Sequence, residues 1–192
     1  DVYIQKLDPN GDFLWAKQLG GLYADRGQSI AIDASGNVYT TGWFSGTADF
    51  DPGVGIDTAT SAGGYDAYVL KLDSNGDFLW AKQMGGVSQE WGASLALDQS
   101  GNVYTAGPFA TTVDFDPGIG IANFTTSGSV DFFIQKLDAN GDFLWAKQMG
   151  GTAYDICLSM ALDFSGNIYS TGYFEGTADF DPGTGIFELT PA

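Results

Sequence analysis

Pairs of aspartates set two residues apart carry the most evident chemistry in this chain. Asp49 and Asp51 stand in "GTADFDPG" at 46–53, and the same eight letters return at 176–183 with Asp179 and Asp181. Between them, "TTVDFDPG" at 111–118 holds Asp114 and Asp116. In an extended segment, residues two apart share a side. Each pair therefore aims two carboxylates at one place, while Phe50 or its equivalent turns the other way to anchor in apolar packing. Like charges this close repel unless a cation or hydrogen-bond donors come between them. Calcium accepts such oxygens, with loop carbonyls and water completing about six to eight ligands. Aspartate ahead of Pro-Gly is equally a turn starter that caps its own backbone. The D-x-D-x-D-G series of an EF-hand loop is absent. Three readings stand: a calcium loop used three times, one turn used three times, or a direct partner contact.

The remaining acids offer less. Asp8 with Asp12, Asp73 with Asp77 and Asp138 with Asp142 flank hairpin turns. A glycosidase holds two carboxylates across a cleft, but the acids here recur in copies, whereas a catalytic pair is usually unique. The chain has no histidine, which removes the histidine-dependent triads and most zinc sites. The single Cys157 forms no internal disulfide, and it stands where the other repeats have Gly27 and Gly92. The residues thus point to no enzyme and to no catalytic set. With 24 Asp+Glu against 7 Lys+Arg, the net charge of -17 repels nucleic acid and anionic lipid. No apolar run reaches membrane-spanning length. The chain opens on Asp1 without a signal peptide and reads as a processed or excised piece of something longer.

The elements that must position these acids come from a repeat. "DVYIQKLDPNGDFLWAKQLGG" at 1–21 returns as "DAYVLKLDSNGDFLWAKQMGG" at 66–86 and "DFFIQKLDANGDFLWAKQMGG" at 131–151, an offset of 65 without insertion or deletion. Each unit reads as four strands in two hairpins. "DVYIQKL" and "FLWAKQL" flank "DPNGD", which suits a type I turn with Gly11 in the left-handed position. "SIAID" and "VYTTGWF" flank "ASGN", with Gly36 in the same role. No stretch keeps a helical apolar period. An all-β chain of β-propeller blades is expected, with four antiparallel strands per 65-residue repeat. Neighbouring blades must stack to bury each face. Phe13, Trp15, Tyr39 and Phe44, with their repeats, are the expected inter-blade core.

These residues resemble the bacterial SBBP repeat, a family named for seven-bladed β-propellers. The resemblance rests on the "D-x-S-G-N-[VI]-Y" hairpin, the "D-x-[FY]-[IV]-x-K-L-D" strand and the "L-W-A-K-Q" strand with its trailing glycines, and it covers essentially the whole chain. It implies a propeller in secreted or cell-surface bacterial proteins and carries over no catalytic residue, since the family has no uniform activity or fixed ligand. The family's blade order makes "SIAID" inner and "FLWAKQL" outer. By that order 1–21 is an outer half-blade, 22–86 and 87–151 are whole blades, and 152–192 is an inner half-blade. Three blades are too few to close a ring, so self-association through the terminal half-blades, or completion by further repeats, is expected. The expected role is a scaffold for adhesion or assembly. One alternative is a carbohydrate-binding propeller, with a glycan or surface protein as partner. Its ligand cluster would arise in the variable stretches "LYADR" (22–26), "VSQEW" (87–91) and "TAYDI" (152–156), which read as sharing no chemistry. Another is a filament subunit joined head to tail.

Overall fold

The computed structural model describes residues 1–191. Among those residues every regular element is a strand. The chain opens with β1 (Val2–Leu7) and β2 (Phe13–Gly21). A first full repeat gives β3 (Asp25–Ile32), β4 (Val38–Phe44), β5 (Thr47–Asp49), β6 (Thr58–Thr60), β7 (Asp66–Leu72) and β8 (Phe78–Gly86). The second gives β9 (Ser94–Leu97), β10 (Val103–Phe109), β11 (Thr112–Asp114), β12 (Asn123–Thr125), β13 (Asp131–Leu137) and β14 (Phe143–Gly151). The last part gives β15 (Asp155–Leu162), β16 (Ile168–Phe174), β17 (Ala178–Asp179) and β18 (Glu188–Leu189).

The long strands form antiparallel meanders, β3-β4-β7-β8 and β9-β10-β13-β14, with β1-β2 and β15-β16 as separate hairpins. The fold is therefore all-β and propeller-like, with four long strands per repeat and no closed sheet. Turn chemistry sets each hairpin. The Gly11 N–H donates to the Asp8 carbonyl at 3.0 Å, Gly11 sits at φ 88°, and Asp8 Oδ1 accepts from the Asn10 and Asp12 amides at 2.8 Å each. The ladder shifts by one residue at Lys6/Leu7, the bulge that a left-handed glycine produces.

One feature was not legible in the repeat. The short hairpins β5-β6, β11-β12 and β17-β18 join the outer strand of the preceding unit's sheet instead of their own. Gly20 and Gly21 pair with Asp49 and Ala48, Gly85 and Gly86 with Asp114 and Val113, and Gly150 and Gly151 with Asp179 and Ala178. The doubled glycines of "LWAKQLGG" thereby gain a reason: a Cβ on Gly86 would collide with the Thr112 carbonyl of the strap crossing it.

Three apolar clusters fill the three seams between successive sheets. Val2, Ile4 and Leu19 meet Phe44, Tyr68 and Leu70 in the first. Tyr39, Val69 and Met84 meet Val103, Phe109 and Phe133 in the second. Tyr104, Ile134 and Met149 meet Cys157 and Met160 in the third. Trp80 packs edge-on to Tyr39 with ring centroids 6.0 Å apart, and its indole N–H points to the Ala139 carbonyl of the next sheet at 3.4 Å. The innermost strands are also tied. The Leu95 N–H donates to Ser29 Oγ at 3.1 Å, and the Met160 N–H to Ser94 Oγ at 2.9 Å. Phe78 and Phe143 pack against the clusters as expected, but Phe13 is exposed because no further sheet lies against it.

Candidate functional site

The aspartate pairs lie where the straps turn. Asp49 ends β5, and its Oδ1 accepts from the Asp51 amide at 3.0 Å and the Asp57 amide at 2.9 Å. Asp51 Oδ1 accepts from the Gly53 amide at 2.7 Å. Asp114 repeats this with the amides of Asp116 and Ala122, and Asp116 with that of Gly118. Asp179 does so with those of Asp181 and Phe187, and Asp181 with that of Gly183. The donors between like charges are thus the loop's own amides. Those of Asp181 and Phe187 hold the Asp179 carboxyl below its ordinary range. Phe50 is buried against Phe44 and Tyr68, with centroids 5.1 Å away in both cases, so the aromatic between the acids is the anchor. Each loop brings its two aspartates together. The three loops stay apart on three different sheets. Among the described residues, no group of three or more His, Cys, Asp or Glu side chains is arranged to hold a metal ion.

A second set of acids, which the sequence reading passed over, lies inside the seams. Asp66 is fully buried at the head of β7, where its Oδ2 accepts from the Ala62 amide at 3.0 Å and from Gln83 Nε2 at 2.6 Å. Glu90 is fully buried nearby, and its Oε2 accepts from the Gly86 amide at 2.9 Å. Asp131 and Asp155 repeat the pair, with Ser127, Gln148 and Gly151 as donors. Each of these four carboxylates keeps one buried oxygen without a hydrogen-bond partner. Burial, and then the charge of Asp66, push the Glu90 carboxyl from its ordinary 4.5 up to about 7. Burial likewise raises Asp131 and Asp155. Asp25 is the same position in the first seam, accepting from the Gly21 amide at 2.9 Å.

A signal for these acids was present. The stretches "LYADR", "VSQEW" and "TAYDI" do share chemistry: their fourth letter is Asp25, Glu90 or Asp155, acidic every time. These three acids fasten the glycine pair of the preceding outer strand to the seam. Cys157 is a buried free thiol, and burial pushes its pKa up. It packs in the cluster that holds Ala106, whereas its equivalent Gly92 faces Thr41, whose hydroxyl leaves no room for a Cβ. The lone Arg26 lies over the Trp43 ring, 5.6 Å from its centroid, and Trp43 stacks on Tyr65 at 4.2 Å.

Comparison with known proteins agrees with this architecture. The SBBP family, described as a Beta-propeller repeat, matches the chain twice, at residues 14–43 and 144–173. The two stretches are equivalent, each running from an outer strand across a seam into the next inner hairpin. An uncharacterized WD repeat-containing protein, L264, of Acanthamoeba polyphaga mimivirus is 23% identical over 198 residues, covering 88% of this chain and 14% of its own length. The regulatory protein FlaEY of Caulobacter vibrioides is 28% identical over 179 residues, covering 91% of this chain and 18% of its own length. The chain thus spans less than a fifth of the length of either relative.

Proposed function

We propose that the chain is a non-enzymatic scaffold of propeller blades, acting in adhesion or assembly outside a bacterial cell or on its surface. Its open blades are completed by further repeats or by other chains. One observation carries the reading: the chemistry-bearing residues serve the joints between repeats. The DFDPG aspartates fold the straps, the buried acids fasten the glycine pairs, and the aromatics fill the seams. Side chains spent in this way, copy after copy, leave the variable loops as the surface on which a partner is chosen. The names of the two relatives, one carrying WD repeats and one regulatory, fit a protein that works by holding others. The six DFDPG aspartates are where calcium would act in such a setting, by stiffening the straps.

A glycan array together with a panel of chromogenic glycoside, ester and phosphate substrates tests this. The reading expects no turnover that a single unique side-chain substitution abolishes, and no saturable glycan binding. Turnover of that kind would make the chain an enzyme. Saturable binding lost on mutation of the loops at 22–26, 87–91 or 152–156 would make it a carbohydrate-binding module.

A further inference from the structure

We infer that the strap loops are a docking surface for a basic segment of a partner protein, each loop taking an arginine beside its aspartates and an apolar side chain on its tip. The inference rests on the scaffold reading and names the chemistry of the partner. The loop between β11 and β12 shows the surface best, because its sheet is packed against another on either side. Ile119 and Ile121 are nonetheless exposed there, and none of the three apolar clusters includes them. The loop is built to hold them out. The Gly118 amide donates to Asp116 Oδ1 at 2.8 Å, and a Cβ on Gly120 would collide with the same carboxylate. Asp116 thus fills the inside of the turn and the isoleucine between the two glycines is left outside. Val54 and Ile56 are exposed in the same way around Asp51, and Ile186 beside Asp181.

Beside this tip, between the strap and β8, lies a recess of about 360 Å³ lined by Asp66, Gln83, Gly85, Asp114, Asp116 and Pro117. The first strap repeats it with Gln18, Gly20, Asp49, Asp51 and Pro52. Folding the loop uses only Oδ1 of Asp114 and of Asp116. Asp66 is fully buried in the lining, and its Oδ1 has no hydrogen-bond partner. Lys82 lines the same recess, but among the described residues no Lys or Arg forms an ion pair with these three carboxylates. The recess therefore carries uncompensated negative charge next to an apolar knob.

Charge selects the occupant. A net charge of -17 repels nucleic acid, anionic lipid and a second copy of the chain alike. A guanidinium suits the recess: it is planar, weakly hydrated and presents a fork of donors that matches carboxylates. In an extended segment, residues two apart share a side. An Arg-x-Leu stretch can therefore place its cation in the recess and its apolar side chain on Ile121 together. The same loop recurs on three successive sheets. Exposed contacts of this kind are weak singly, and a partner with several such stretches gains by engaging the loops at once.

Fluorescence anisotropy of the 192-residue chain with a labelled peptide of repeating Arg-Ser-Leu-Ser tests the surface. The peptide should bind about tenfold more tightly than one of repeating Arg-Ser-Ser-Ser, and its binding should weaken with salt. Repeating Glu-Ser-Leu-Ser should not bind. Equal affinity for the two arginine peptides would reduce the effect to net charge and overturn the inference. Ile56→Ser, Ile121→Ser and Ile186→Ser combined should leave melting almost unchanged, because all three are exposed, and should abolish the preference for leucine. Asp51→Asn, Asp116→Asn and Asp181→Asn combined keep an acceptor for the loop amides and should weaken both arginine peptides. Should that variant fail to fold, the isoleucine variant decides alone, and a leucine preference that survives it overturns the surface. Flotation with phosphatidylcholine vesicles, lost in the isoleucine variant, would give the tips to a membrane and likewise overturn it. Absence of peptide binding together with absence of turnover removes the surface and leaves the scaffold. Turnover in a chain that binds the peptide removes the scaffold and leaves the surface.

Discussion

Tyr68 and Tyr3 occupy the same position in successive copies of one strand, yet Tyr68 is fully buried and Tyr3 is 78% exposed. Tyr39 and Tyr169 form the same contrast on the facing strand, at 0% and 61%. So do Leu95 and Ile30 on the inner strands, at 6% and 55%. Sequence hardly differs within these pairs. What differs is whether another sheet lies against them. In a repeat protein the neighbour decides whether a residue is core or surface, and stability is a sum over neighbouring seams.

Mutating equivalent positions is the strongest way to break this contrast. Tyr68→Ala should cost about 3–4 kcal/mol in monomer stability. Tyr3→Ala in the same chain should stay within about 0.5 kcal/mol. Thermal or urea unfolding at low protein concentration reads both, and equal costs would dissolve the distinction.

The buried acids give the next largest effect. The Glu90 carboxyl titrates near 7 when folded and near 4.5 when free. The folded state therefore holds the extra proton between those values. The stability this proton supports is complete below about pH 4.5 and is lost as pH rises through 7. Glu90→Gln keeps an acceptor for the Gly86 amide and removes the charge. It should stabilise the chain at pH 8 by on the order of 2 kcal/mol and flatten the pH dependence between 5 and 8. A loss of stability at pH 8 would mean that the charged form is the one the seam requires.

The straps should respond more weakly. Asp114→Ala removes the acceptor of two loop amides and should cost about 1–2 kcal/mol. The Asp179 carboxyl, held low by its amides, contributes stability that is lost as pH falls below the ordinary carboxylate range. The smallest expected effect is that of calcium. If calcium acts at these loops, the melting temperature rises with it, falls with chelator, and responds less in Asp51→Asn. Indifference to chelator leaves the backbone turn as the whole role of the pair.

What the sequence showed follows the range of the forces involved. The hairpin turns were legible because Asp8, Asn10 and Gly11 act on one another within four residues. The aromatic seams were legible because the repeat supplies them at a fixed interval. The straps were not, because strands of two or three residues carry no readable alternation and pair with the preceding repeat's sheet. The seam acids hid behind a conservative swap, Glu90 among aspartates, inside stretches whose other letters vary. Their burial depends on the neighbouring sheet and is absent from local pattern. In the DFDPG loops the paired acids were plain to see, but which donors face them depends on the loop's fold.

Hydrogen exchange of the 192-residue chain at low protein concentration tests the central claim most directly, since packed and unpacked copies of the same strands are read in one sample. Peptides over 38–44 and 66–72, paired on both sides and packed between sheets, should exchange slowly. Peptides over 2–7 and 168–174, the same strands with one edge unpaired and one face unpacked, should exchange rapidly. Equal protection of the two sets would contradict the account.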